Sequence, residues 1–148
     1  MIGMNGKNIC TEDAMKHVAG YFVGLDFTNR TLQNLNKETG SDWPLSKGSN
    51  DFAAVSEFIH KNAIADVNNV EIELTINGEV RQYSNTSHMI FDIPSMIADI
   101  SRYQELRAGD LIFTGTPEGV GSVAQGDTLI SVLRSEGAEI VRLELDVI

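Results

Sequence analysis

The stretch VEIELTINGEVRQYS, residues 70–84, constrains the fold more than any other. Val70, Ile72, Leu74 and Ile76 alternate with Glu71, Glu73 and Thr75 at the two-residue period of a half-buried strand. Asn77-Gly78 then supplies the pair that tolerates positive φ, the requirement of a two-residue turn of the primed type, and EVRQYS returns. An antiparallel hairpin is therefore expected near the middle of the chain.

Further strand patterns follow it. LIFT (111–114) and TLISVL (128–133) read as short buried strands. In IVRLELDV (140–147), Val141, Leu143, Leu145 and Val147 alternate with Arg142, Glu144 and Asp146. Upstream, YFVGLDFT (21–28) reads as one strand, with Asp26 on the face of Phe22 and Gly24. Helices are expected in three places. Thr11, followed by two acidic residues, looks like a cap for a short helix to about His17. NRTLQNLNKETG is helical up to Gly40, and Pro94 opens a helix whose Ile93, Met96, Ile97, Ile100 and Tyr103 form one stripe. SDWPLSKGSNDF is read as a loop. The expectation is a single α+β, β-rich domain over residues 1–148, with short peripheral helices.

Composition narrows the function. With 148 residues and 42% hydrophobic content, the chain can bury one substantial core. A formal net charge of -10 and the lack of any Lys/Arg run argue against nucleic acid and anionic membrane surfaces as partners. An anionic substrate could be held only where isolated bases converge, which singles out Arg30, Lys47, Arg81 and Arg102. Cys10 is the only cysteine, which excludes an internal disulfide and a thiolate metal cluster and reads as a small packed residue. No apolar stretch is long enough for a membrane span, and MIGMNGKNIC lacks a signal-peptide pattern, so the expected location is cytoplasmic.

The chemical clues are few. A carboxylate at Asp26 on an apolar strand needs a cation, a metal or hydrogen-bond donors beside it. LIFTGTPEGVG (111–121) leaves backbone bare, as a tight turn or a ligand approach would require. It lacks the Lys-Ser/Thr ending of a phosphate loop. Glu71 and Glu73 could hold a hard cation, but they also fit the solvated half of an amphipathic strand. His17, His60 and His88 share no ligand spacing, and no serine lies in a nucleophile elbow.

Four blocks in consecutive order carry a resemblance: GYFVGLDFTNRTLQ, LSKGSNDFAAV, INGEVRQYSNTSHMIFDIPSMIADIS, and LRAGDLIFTGTPEGVG with QGDTL. Together they resemble the catalytic domain of the fumarylacetoacetate hydrolase family, in its small acylpyruvate hydrolase and oxaloacetate decarboxylase-like branch. The resemblance implies a mixed β-sheet roll or distorted sandwich, a homodimer, and metal-dependent cleavage of carbon-carbon bonds in a small 2-oxo acid. The implied cation is Mg2+ or Mn2+, a Lewis acid that stabilises an enolate. Residue by residue, it assigns Asp26 to the metal, Lys47 and Gln33 to catalysis, and Arg30, Gly115 and Thr116 to substrate binding.

The family's E-x-E metal pair, and its water-activating histidine-glutamate pair, fall upstream of the segment matching MIGMNGKN and have no counterpart here. Glu71 and Glu73 lie on the hairpin and cannot stand in for them. The expectation is thus an amino-terminally truncated catalytic domain with an incomplete metal site. The alternatives are a catalytically inactive relative acting as an oligomerisation or interaction domain, and a generic ligand-binding β domain.

Overall fold

A computed structural model describes residues 1–148. The chain opens in a loop whose Ile2 bridges Val18 and whose Gly6 bridges Leu106. Helix α1 (Thr11–Ala14) is one turn, extended by a 3-10 turn at Met15–His17. Its N-cap is Cys10 rather than Thr11, and no side chain caps it. The Cys10 thiol is exposed and donates to Asp13 Oδ2 at 3.2 Å, so the expected packed cysteine is a surface one.

The run expected as a single strand is two. Strand β1 (Gly20–Tyr21) and strand β2 (Gly24–Asp26) pair with different partners, β2 with β3 (Ala53–Val55) and β1 with β4 (Ile59–His60). The break has a local cause. Val23 N–H donates to the Ser56 hydroxyl at 3.1 Å instead of to a strand carbonyl, and the ladder changes partner there. Between β2 and β3 lie α2 (Arg30–Thr39) and α3 (Pro44–Lys47). Asn29 caps α2 by accepting from Leu32 N–H at 3.1 Å, and Gly40 ends it at φ +69°. The second helix lies inside the segment read as a loop. Pro44 sits in its first turn, where a missing N–H costs nothing.

Strands β5 (Glu71–Ile76) and β6 (Glu79–Asn85) form the expected hairpin, with φ of 52° at Asn77 and 82° at Gly78. Helix α4 (Ile93–Tyr103) starts at Asp92, whose Oδ1 accepts from Ser95 N–H at 2.8 Å. Strands β7 (Thr128–Ser135) and β8 (Ala138–Asp146) make a second hairpin, turned by Glu136 and Gly137 at φ 53° and 78°. The four long strands form an antiparallel sheet in the order β6-β5-β7-β8.

Residues 111–114 are not a strand. They make no backbone-backbone hydrogen bond, and Leu111 and Phe113 are exposed. An apolar run becomes a strand only where an edge is available to pair with it, which the run itself does not reveal. Two core clusters hold the rest. Ile2, Ile9, Ala14, Val18, Ile97 and Leu106 join the first loop and α1 to α4, while Val23, Ile59, Ile64, Val70, Leu133 and Leu143 join the long sheet to the short strands. No helix is long and apolar enough to cross a membrane.

Candidate functional site

A cleft of about 970 Å³ runs between one face of the long sheet, the end of β2 and the 111–123 loop. Asp26, Arg30, Gln33, Lys47, Gly115 and Thr116, the residues assigned from the resemblance, all line it.

Lys47 organises one end. Its Nζ donates to Asp26 Oδ2 at 2.7 Å and to Thr28 Oγ1 at 2.8 Å. The backbone brings these groups together, because Asn29 N–H donates to Ser46 O at 3.0 Å and Phe27 N–H to Phe52 O at 2.8 Å. Those bonds fasten the end of β2 to α3 and to the start of β3. The partner that a carboxylate on β2 needs is therefore a lysine. Asp26 is also less buried than its apolar neighbours imply, with its side chain 48% exposed at the cleft mouth.

On α2, Arg30 Nη1 donates to Gln33 Oε1. Gln33 is only 4% exposed, yet its Nε2 makes no hydrogen bond within the chain while the residue lines the cleft. No buried side-chain polar atom of the chain lacks a partner, so this Nε2 opens to the cleft and is available for an acceptor there.

The glycine loop is positioned by β6. Gln82 Nε2 donates to Thr116 Oγ1 at 2.9 Å, to Pro117 O at 2.8 Å and to Glu118 O at 3.3 Å. Because Thr116 Oγ1 accepts from Gln82, its own O–H remains free to donate elsewhere. A Cβ on Gly119 would lie 2.0 Å from Arg81 O, and its φ is +93°. At Gly119, then, the bare backbone is required by the chain's own β6. Gly115 has φ +109° and open space around it, so its glycine serves conformation.

The other residues singled out in the sequence divide. Arg81 lines the cleft, whereas Arg102 lies on the surface near Asp99. Glu73 pairs with Arg134 at 3.2 Å, and neither it nor Glu71 reaches the cleft. His17, His60 and His88 do not line it either. Gln82 is the residue that the sequence reading missed. Its role depends on a loop more than thirty residues away, for which the hairpin pattern carries no signal.

The charge balance is local. Three cationic side chains, Arg30, Lys47 and Arg81, face the cleft against one carboxylate, Asp26, in a chain whose formal net charge is -10. A small anion is favoured there. A divalent cation is not fitted by the same residues. No three His, Cys, Asp or Glu side chains converge anywhere in the chain, and the one carboxylate in the cleft is already held by an ammonium. Magnesium and manganese need several oxygen ligands.

The model of the fumarylacetoacetate (FAA) hydrolase C-terminal family matches residues 1–147. The chain belongs to the fumarylacetoacetate hydrolase family. Among its relatives, the mitochondrial oxaloacetate decarboxylase of Dictyostelium discoideum is 43% identical over 129 residues, covering 87% of this chain and 59% of the relative. The mitochondrial oxaloacetate tautomerase FAHD1 of Rattus norvegicus is 41% identical over the same length, covering 87% and 58%. The crystal structure of fumarylpyruvate hydrolase from Pseudomonas aeruginosa in complex with Mn2+ and pyruvate superposes with a TM-score of 0.92 at 36% identity, covering 99% of this chain and 61% of that one. The expected β-rich fold with short helices is thus that of the family. The chain spans about three fifths of the length of these relatives.

Proposed function

We propose that this member of the fumarylacetoacetate hydrolase family takes part in breaking a carbon-carbon bond next to the keto group of a 2-oxo acid, by acylpyruvate hydrolysis or oxaloacetate-type decarboxylation. The observation that carries the reading is one cleft lined by three cationic side chains, with Lys47, Arg30, the free Gln33 amide and the Thr116 hydroxyl all among its lining groups. Relatives named for oxaloacetate and fumarylpyruvate chemistry support it.

In this reading the substrate carboxylate accepts from Thr116 O–H and the Gly115 turn, while Arg30 fixes its orientation. Lys47 Nζ faces the keto oxygen, where negative charge grows as the bond breaks, and a donor already in place costs no reorganisation. Gln33 acts beside it by donating Nε2–H to the same oxygen. The divalent ion held by the fumarylpyruvate hydrolase relative has only Asp26 as a carboxylate here. Its use by this protein would require ligands beyond those in the cleft, so no step is assigned to it. Turnover of oxaloacetate and acylpyruvates, with and without Mg2+ or Mn2+, tests the reading. Loss of enolate-forming turnover in Lys47→Met supports it, and unchanged turnover in that variant contradicts it.

The engagement of Asp26 by Lys47, with no further carboxylate nearby, favours a second reading, a catalytically silent relative retained for assembly. That reading predicts no turnover with any metal and no oxo-acid binding. We also place the protein in the cytoplasm as a homodimer, with the exposed Ile90 and Phe91 consistent with self-association. Light scattering that returns a monomer mass would remove the dimer.

A further inference from the structure

The β5-β6 ladder contains an irregularity beside the cleft. Leu74 is opposite Gln82 and Thr75 is opposite Val80, so Arg81 is the extra residue of a β-bulge and has no partner on β5. In a regular strand, consecutive side chains point to opposite faces. A bulge re-aims a side chain, and here Arg81 and Gln82 both line the cleft. Gln82 is used up by the loop at Thr116, Pro117 and Glu118.

The Arg81 guanidinium forms no hydrogen bond and no ion pair within the chain, although every other arginine does one or the other. Asp127, the carboxylate that feels its charge, takes Ala124 N–H and Asn77 Nδ2 as donors and forms no ion pair with it. The bulge is also buttressed. Gly119 lies against the Arg81 carbonyl so closely that only a glycine fits, which couples the bulge to the loop that carries Thr116.

We infer that Arg81 is a specificity-determining residue that receives a second carboxylate of the substrate. This rests on the oxo-acid reading above and narrows it to 2-oxo acids with an anionic group beyond the keto carbon. A guanidinium presents two parallel donors to a carboxylate, which a mono-anionic oxo acid leaves unused.

The test is calorimetric binding of oxaloacetate and of pyruvate to the full chain and to the variants Arg81→Gln and Arg81→Lys, with thermal unfolding to confirm that each is folded. The wild-type chain should bind oxaloacetate more tightly than pyruvate. Arg81→Gln should weaken oxaloacetate about tenfold, or ~1.4 kcal/mol, and change pyruvate by less than about twofold, while Arg81→Lys recovers part of the loss through its remaining charge. Equal weakening of both ligands, or no weakening of either, overturns the role of Arg81 and leaves the oxo-acid reading standing. If the wild-type chain binds neither ligand, both fall together.

Discussion

The long sheet and the cleft wall facing it are built in different ways. In the sheet, two hairpins are each closed by adjacent residues with positive φ, Asn77-Gly78 and Glu136-Gly137, and β5 and β7 join them over six consecutive pairs. The opposite wall consists of two- and three-residue strands, a one-turn helix and a loop with no ladder, held by single bonds such as Lys47-Asp26 and Gln82-Thr116. Cooperative pairing makes a surface stiff, whereas isolated side-chain bonds leave groups that can be exchanged for ligand bonds. Lys47, Gly115 and Thr116 accordingly lie on the irregular wall, Arg30 and Gln33 start α2 beside it, and Arg81 sits at the one bulge that interrupts the β5-β6 ladder.

If that division is right, damage to the sheet should appear in stability and damage to the wall in binding. The largest effect is expected for Leu129→Ala, because Leu129 is 1% exposed on β7, an inner strand paired on both sides. Denaturant unfolding should show a loss of about 2–5 kcal/mol. A smaller loss would mean that the sheet face is looser than its ladders imply.

Gly119→Ala comes next. Its positive φ alone costs about 1–3 kcal/mol, and the new Cβ would meet Arg81 O at 2.0 Å. Gly126→Ala is the control, with φ +91° and nothing within 4 Å. The Gly119 variant should lose both melting temperature and oxo-acid binding, and the Gly126 variant only the former. Equal behaviour would disconnect the loop from the site.

Lys47→Met should invert the sheet result. The Asp26 side chain is 48% exposed, so water replaces the ammonium and stability should change by no more than about 1 kcal/mol. Oxo-acid affinity should nevertheless fall at least about tenfold. A large loss of stability would make Lys47 a structural residue.

The smallest effect concerns pH. Hydrogen bonding to Ser95 holds the Asp92 carboxyl below its ordinary value, so its contribution to α4 is complete above the unfolded value of about 3.9 and is lost as pH falls through the lower folded value. Asp92→Asn keeps a cap acceptor that does not titrate. Its melting temperature should differ from the wild type near neutral pH, and the gap should shrink on acidification. A gap independent of pH would exclude the carboxylate charge.

The same division explains what the sequence could reveal. Alternation and turn chemistry are local, so β5, β6, β8 and α4 could be read directly, as could the end of α2 at Gly40. The split between β1 and β2 could not, because it depends on Ser56, more than thirty residues along the chain. LIFT has the composition of a buried strand but no edge to pair with. In the site, the need of Asp26 for a partner was readable from one residue on an apolar strand, and Lys47 was among the few scattered bases. Gln82 and the bulge at Arg81 were not readable, since a register shift leaves no mark on a hydrophobic pattern.

The proposed site stands or falls on whether the free donors of Gln33, Lys47 and Thr116 serve one small anion. Titrating pyruvate into isotopically labelled chain, and following the Gln33 side-chain amide together with the Gly115 and Thr116 backbone amides, tests it most directly. These signals should move together along one saturating curve and stay still in Lys47→Met. Saturable shifts confined to other residues, or shifts unchanged in that variant, would contradict it.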